Sequence, residues 1–230
     1  GCDATTATTA PSDPVASPIA ASAEELPQPV AVRINRPYAK SDAAKWVPSF
    51  EREGREAFDR RKDILSVVAA APGMAVADVG AGTGLFTMEF ARVVGGEGIV
   101  YAVDPERDFL AHIEARAKTA ELANVRTVQA DQRASGLAPG SIDLAFMCDA
   151  YHHLELPRTY LADLHAALRE RGRLVVVDYD RTRKHATAWM REHIRADPAE
   201  FRAEIEAAGF VLVSAPALLE ENFVMVFERR

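Results

Sequence analysis

The side chains able to do chemistry in this chain gather at a few points. Asp149, Tyr151, His152 and His153 fall within one short run. A histidine, with an ordinary pKa of about 6.5, can take a proton from a hydroxyl or an amine at neutral pH. His153 stands four residues after Asp149, so on a helical turn the two would face each other. The alternative is that the second histidine packs beneath a helix that Asp149 caps. Three more acids belong to apolar runs: Asp78 lies inside Met74–Val79, Asp104 follows Gly98–Val103, and Asp131 comes shortly after Val125–Val128. A carboxylate accepts two vicinal hydroxyl hydrogens at once, which suits a ribose. No metal is expected at the histidines, because neighbours on a helix point in different directions and no third ligand stands at a recognisable spacing.

The elements that position these residues alternate between strand and helix. Val76–Thr87 reads V-A-D-V-G-A-G-T-G-L-F-T, an apolar strand, a turn with Gly80, Gly82 and Gly84, and then a helix over Leu85–Val94. Glycine lets the backbone take φ > 0 and lets a ligand come close. A dinucleotide fingerprint would carry its third glycine at 85, where this chain has Leu85. Asp104 comes twenty residues after Gly84, the interval at which a βαβ unit presents an acid to a ribose. Asp104-Pro105 also opens the helix Glu106–Leu122 well, and the two roles are compatible.

This stretch resembles motif I of the class I S-adenosylmethionine-dependent methyltransferases, and the motifs after it follow in that family's order from about Gly54 to the C-terminus. The resemblance implies an α/β fold, a Rossmann-like doubly wound seven-stranded sheet that is mostly parallel with an antiparallel last strand. It implies S-adenosylmethionine as cofactor, its amino-acid end held by Asp78, Gly80, Ala81, Gly82, Thr83 and Gly84. Asp104 with Pro105 would hold the sugar, Asp131 the adenine amino group, and Gln132 would sit beside the ring. Cys148 and Asp149, ending strand four (Ile142–Cys148), complete the expected cofactor contacts. The same strand delivers Asp149, Tyr151, His152 and His153 as catalytic candidates. The resemblance to quinone- and sterol-type enzymes implies a small-molecule methyl acceptor.

Elsewhere the pattern is that of core and surface. Phe50–Ala71 reads as an amphipathic helix with Arg52, Arg55, Arg60 and Arg61 on a solvated face. Pro157–Leu168 is a core-facing helix, and Leu174–Asp178 a fifth strand whose end, with Tyr179 and Arg181, would flank the acceptor. Thr182–Ala196 holds Trp189, expected in the core, and His193 on the same helical face. Asp197-Pro198-Ala199-Glu200 is a capping box. Phe210–Val213 and Phe223–Phe227 form the last strands.

The chain has 230 residues, 48% hydrophobic and 27% charged, with a formal charge of −7. That is enough for one domain with a sizeable core. The acidic balance argues against nucleic acid as partner. No apolar run is long enough to cross a bilayer. Residues 1–36, rich in Ala, Thr and Pro, read as a disordered tether, and 37–230 as the methyltransferase domain with an N-terminal helical cover. Gly-Cys-Asp at the start resembles the junction of a bacterial lipoprotein, with Cys2 as the lipidated membrane tether. The flexible polar stretch behind Cys2 favours this periplasm-facing form over a cytoplasmic enzyme with an arbitrary start. Other functional classes are a catalytically silent S-adenosylmethionine-binding domain and an NAD-dependent oxidoreductase, the latter disfavoured by Leu85.

Overall fold

The computed structural model describes residues 24–39 and 42–230. Seven strands form one sheet: β1 (Ala75–Val79), β2 (Ile99–Asp104), β3 (Val125–Gln129), β4 (Ile142–Cys148), β5 (Leu168–Tyr179), β6 (Phe210–Ser214) and β7 (Asn222–Arg229). Their spatial order is β3-β2-β1-β4-β5-β7-β6. The first five are mutually parallel, and β7 runs antiparallel to both β5 and β6. This is the expected sheet. Order reverses between β1 and β4, where the carboxyl ends of the strands diverge and leave a crevice.

The helices are α1 (Pro29–Asn35), α2 (Val47–Phe50), α3 (Glu56–Asp59), α4 (Arg61–Val68), α5 (Leu85–Val94), α6 (Arg107–Thr119), α7 (Pro157–Ala167), α8 (Ala188–His193) and α9 (Pro198–Ala207). Period-two alternation along the central strands feeds both faces of the sheet. Ala145 and Met147 of β4 join a core with Leu161, Leu164 and Phe201. Leu144 and Phe146 join Ile64, Phe86 and Phe90 on the opposite face. The capping box at the start of α9 is formed as expected, with Asp197 accepting from the Glu200 N–H and Glu200 reaching back.

Two elements differ from the sequence reading. The range Phe50–Ala71, expected as one helix, holds two short ones, α3 and α4, after α2 ends at Phe50. Gly54 takes φ +84° and gives its N–H to Asp59 Oδ2 at 2.9 Å, and Arg60 at φ −97°, ψ 14° breaks the ladder again. Local hydrogen bonding to an acid outcompetes the helical carbonyl there. The second difference lies within the 1–36 stretch. Residues 29–35 are helical and bury Ala31 and Ile34. Just upstream, Glu25 caps α7, accepting from the N–H groups of Arg158 and Thr159 at 2.9 and 2.8 Å. Cys2 and the rest of the tether's first 23 residues lie outside the described residues.

Candidate active site

A cavity of about 540 Å³ opens at the carboxyl ends of β1, β2, β4 and β5. On the β1–β3 side its wall is the loop after β1. Gly80 takes φ +72°, and a Cβ there would stand 2.5 Å from that of Ala150, so only glycine fits. Gly84, at φ +83°, lies against Ile113 and sets the contact between loop and helix rather than lining the cavity. Asp104 holds the loop from the next strand. Its Oδ2 accepts the Gly82 N–H and its Oδ1 the Glu106 N–H, both at 2.9 Å, so the acid also opens the helix that follows.

Asp78 and Asp104 are 3% and 5% exposed. Burial pushes the Asp78 carboxyl up to about 7, against the pull of a 2.6 Å hydrogen bond from Thr87 Oγ1. Burial pushes Asp104 up to about 6, opposed by its two backbone N–H donors. Two buried carboxyl groups without a cationic side-chain partner among the described residues, both lining one cavity, are a place for a ligand bearing an ammonium and hydroxyls. Ala81, Gly82, Thr83, Pro105, Asp131, Gln132 and Cys148 also line it. Asp131 accepts the N–H groups of Arg133 and Ala134, and Gln132 Oε1 accepts that of Glu155. Burial raises the Cys148 thiol well above its ordinary value, so it supplies no thiolate at neutral pH.

The N-terminal segment covers this side. Glu51 pairs with Arg116 and accepts the Thr83 hydroxyl at 2.6 Å, while Arg116 also donates to the Thr83 carbonyl at 2.7 Å. Phe50 packs over Gly82, and Trp46 stacks on Phe50 with centroids 5.6 Å apart.

The β4–β5 side departs from the expected pairing. Asp149 does not meet His153. It takes φ +50° and binds Arg55 Nη2 and Asn222 Nδ2, both at 2.6 Å. With one oxygen given to each partner it is a brace for the cavity wall, not a free base. Arg55, expected in solvent, is therefore pulled inward, its side chain 14% exposed. Tyr151 is buried away from the cavity, giving its hydroxyl to Glu204 at 3.0 Å and packing on Phe201. On the short turn Tyr151–His153, Tyr151 takes the core face while the two histidines after it face the cavity.

His152 and His153 do line the cavity. The acid behind His152 is Asp178, which is fully buried. Its Oδ1 lies 2.7 Å from His152 Nδ1, and its Oδ2 accepts the His152 backbone N–H at 3.0 Å. An ionised carboxylate only accepts, so Nδ1 carries the hydrogen and Nε2 keeps its lone pair. His153 is fixed the same way by Asn35. Asn35 Nδ2 donates to the His153 carbonyl at 3.1 Å and to Glu155 Oε1 at 2.9 Å. Its Oδ1 therefore faces His153 Nδ1, 2.6 Å away, and that nitrogen carries the hydrogen.

The third imidazole is His193, on α8. Its ring centroid lies 5.2 Å from that of His152 and 5.7 Å from that of His153, and it stacks on Trp189 at 4.3 Å. Trp189 is 53% exposed and lines the cavity rather than the core. The two grounds for dismissing a metal do not hold in the folded chain. The rings of His152 and His153 lie 4.2 Å apart, and a third histidine arrives from 40 residues away in sequence. Arg55, Asn35, Asp178 and His193 were assigned no place in the site from the sequence, or only a loose one. The apolar pair Ala31 and Ile34 was the one local signal for α1, and the shared face of Trp189 and His193 the signal for α8.

Residues 76–172 match the family described as Methyltransferase domain. A ubiquinone/menaquinone biosynthesis C-methyltransferase UbiE from Shewanella frigidimarina is 30% identical over 148 residues, 64% of this chain and 57% of that protein. The UbiE of Blochmanniella pennsylvanica is 30% identical over 110 residues, 46% of this chain and 42% of its own. The chain thus spans about half the length of the curated relatives it matches. A SAM dependent methyltransferase from Aquifex aeolicus superposes with a TM-score of 0.73 at 23% identity, over 83% of this chain and 100% of its own. A geranyl diphosphate methyltransferase, solved with GPP and sinefungin, gives 0.59 at 15% identity, over 75% and 77%. At such identities the solved structures establish the fold, and the segment 76–172 on that fold carries the match to a methyltransferase domain, which supports a class I S-adenosylmethionine-dependent methyltransferase.

Proposed function

We propose that this chain transfers a methyl group from S-adenosylmethionine to a small-molecule acceptor. One observation carries the reading: a single cavity joins the buried acids Asp78 and Asp104 and the glycine loop to the imidazoles of His152, His153 and His193. The acids and loop fit the cofactor's ammonium and ribose, and the curated relatives' role in quinone biosynthesis supports a small acceptor. Tyr38, Trp46 and Phe50 on the cover favour a flat or apolar one.

When bound, S-adenosylmethionine supplies a methyl carbon that leaves the C–S electron pair on sulfur, so the acceptor provides the pair for the new bond. The chain's own task is to hold the partners in line, a contribution of as much as roughly 7–11 kcal/mol. Asp78 would hold the ammonium, Asp104 the sugar hydroxyls, and Asp131 with Gln132 the adenine. His152 Nε2, aimed by Asp178, receives the proton of an acceptor that carries one. Calorimetry with S-adenosylmethionine, its demethylated product and NAD tests the cofactor, and transfer of a labelled methyl group into a cell extract tests the reaction. Binding of NAD in preference to the other two overturns the reading.

A further inference from the structure

We propose that His152, His153 and His193 form a binding site for one divalent first-row transition-metal ion, with an open coordination position toward the acceptor. Each ring offers one nitrogen, and the three nitrogens lie within 4.8 Å of one another. Tetrahedral ligation at about 2.0–2.1 Å brings such nitrogens to roughly 3.4 Å apart, a contraction that side-chain rotation on a turn and a short helix can supply.

The second observation is an orphan. His152 is 2% exposed, and its Nε2 has no hydrogen-bond partner among the described residues. A buried histidine kept for packing alone would be expected to use both nitrogens. The rings of His153 and His193 lie beside it, their centroids 4.2 and 5.2 Å from that of His152.

The outer partners are those of a metal site. Ligating histidines usually give the other ring N–H to a carboxylate or a carbonyl, which fixes the tautomer and raises ligand basicity. Asp178 does this for His152 and the Asn35 amide oxygen for His153. Asp178 is buried, and among the described residues it takes hydrogen bonds only from the His152 ring and the N–H groups of His152 and Tyr179, so a cation one imidazole away would balance a charge there. His193 is set by its stack on Trp189.

Three imidazoles suit zinc, copper, iron or nickel better than magnesium or calcium. Three protein ligands and one open position are the arrangement of a working rather than a structural site. An acceptor oxygen or nitrogen would fill that position. Its proton would pass to water on coordination, in place of transfer to His152, because a bound ion lowers the pKa of an attached oxygen acid by several units. The acceptor class rests on the methyl-transfer reading; the ion site does not.

The test uses the full chain without a polyhistidine tag, stripped with a chelator and titrated with zinc sulfate by calorimetry. Cobalt absorption in the visible serves as a second readout. One ion per chain is expected with a Kd in the micromolar range or tighter. H193Q is expected to weaken it at least about 100-fold and D178N about 10–100-fold. Saturable binding absent up to about 1 mM, or unchanged in both H193Q and H152Q, overturns the site. Circular dichroism and S-adenosylmethionine affinity report folding of each variant. Cofactor binding without zinc binding overturns the ion site alone, whereas zinc binding without cofactor binding supports the ion site and overturns the methyl-transfer reading.

Discussion

The two sides of the cavity are built by different rules. On the β1–β3 side the wall is made from strand ends and the backbone of one turn, and its acids lie near the carboxyl ends of β1, β2 and β3 in sequence order, Asp78 and Asp104 within their strands and Asp131 just after its own. On the β4–β5 side it is made from side chains far apart in the chain. Arg55 meets Asp149 across 94 positions and Asn35 meets His153 across 118. The first side is specified by a local motif. The second is assembled by tertiary packing, and its residues carry no spacing of their own.

The largest effect is expected from breaking the brace on the variable side. Arg55→Met leaves Asp149 as a buried, uncompensated charge and should cost about 3–5 kcal/mol of stability by urea unfolding. Adding Asp149→Asn should restore most of that loss. If the single variant is as stable as the parent, the pair is not what holds the cavity wall.

The local side should respond to pH. The folded pKa of Asp78 lies above its unfolded value, so its contribution to stability is complete below about pH 4 and is lost as pH rises through about 7. Asp78→Asn keeps an acceptor for Thr87 and removes the charge. It should raise the stability of the ligand-free protein by as much as roughly 3–4 kcal/mol at pH 8 and by nothing near pH 4. Cofactor affinity runs the other way. It should fall in the parent as pH drops through about 7 and then about 6, where Asp78 and Asp104 gain protons. The Asn variant should lose the first of these steps.

Next in size is Asp104→Ala, expected to lower S-adenosylmethionine affinity by about 30- to 100-fold, the worth of one or two charged hydrogen bonds. Asp104→Asn should lose less, since its amide oxygen can still accept one of the two N–H groups that Asp104 now takes from Gly82 and Glu106. Equal affinities in parent and alanine variant would remove the sugar from this position.

The contrast also explains what could be read before the structure. The glycine turn, Asp104 and the seven strands were legible because each is specified within a few residues, by alternation, by glycine, or by an acid closing an apolar run. The break in Phe50–Ala71 was not, because it depends on Gly54 preferring Asp59 to a helical carbonyl. The histidine pairing was not legible either. Helical spacing joins Asp149 to His153, but the chain there is a single tight turn, and the partners are Asp178 on the next strand and Asn35 on a helix inside the presumed tether. Sequence separation hides such pairs even when every residue type is visible.

The smallest expected effect tests the division most directly. Asn35 makes three hydrogen bonds to His153 and Glu155, and Asn35→Ala should cost about 1 kcal/mol of stability. Losing the partner of Nδ1 frees the His153 ring, so zinc affinity should drop about tenfold. Asn35 touches neither the glycine loop nor Asp104, so S-adenosylmethionine affinity should hold within about twofold. A parallel loss of both affinities would mean that α1 supports the whole cavity, and that the two sides are one mechanical unit rather than a fixed half joined to a variable one.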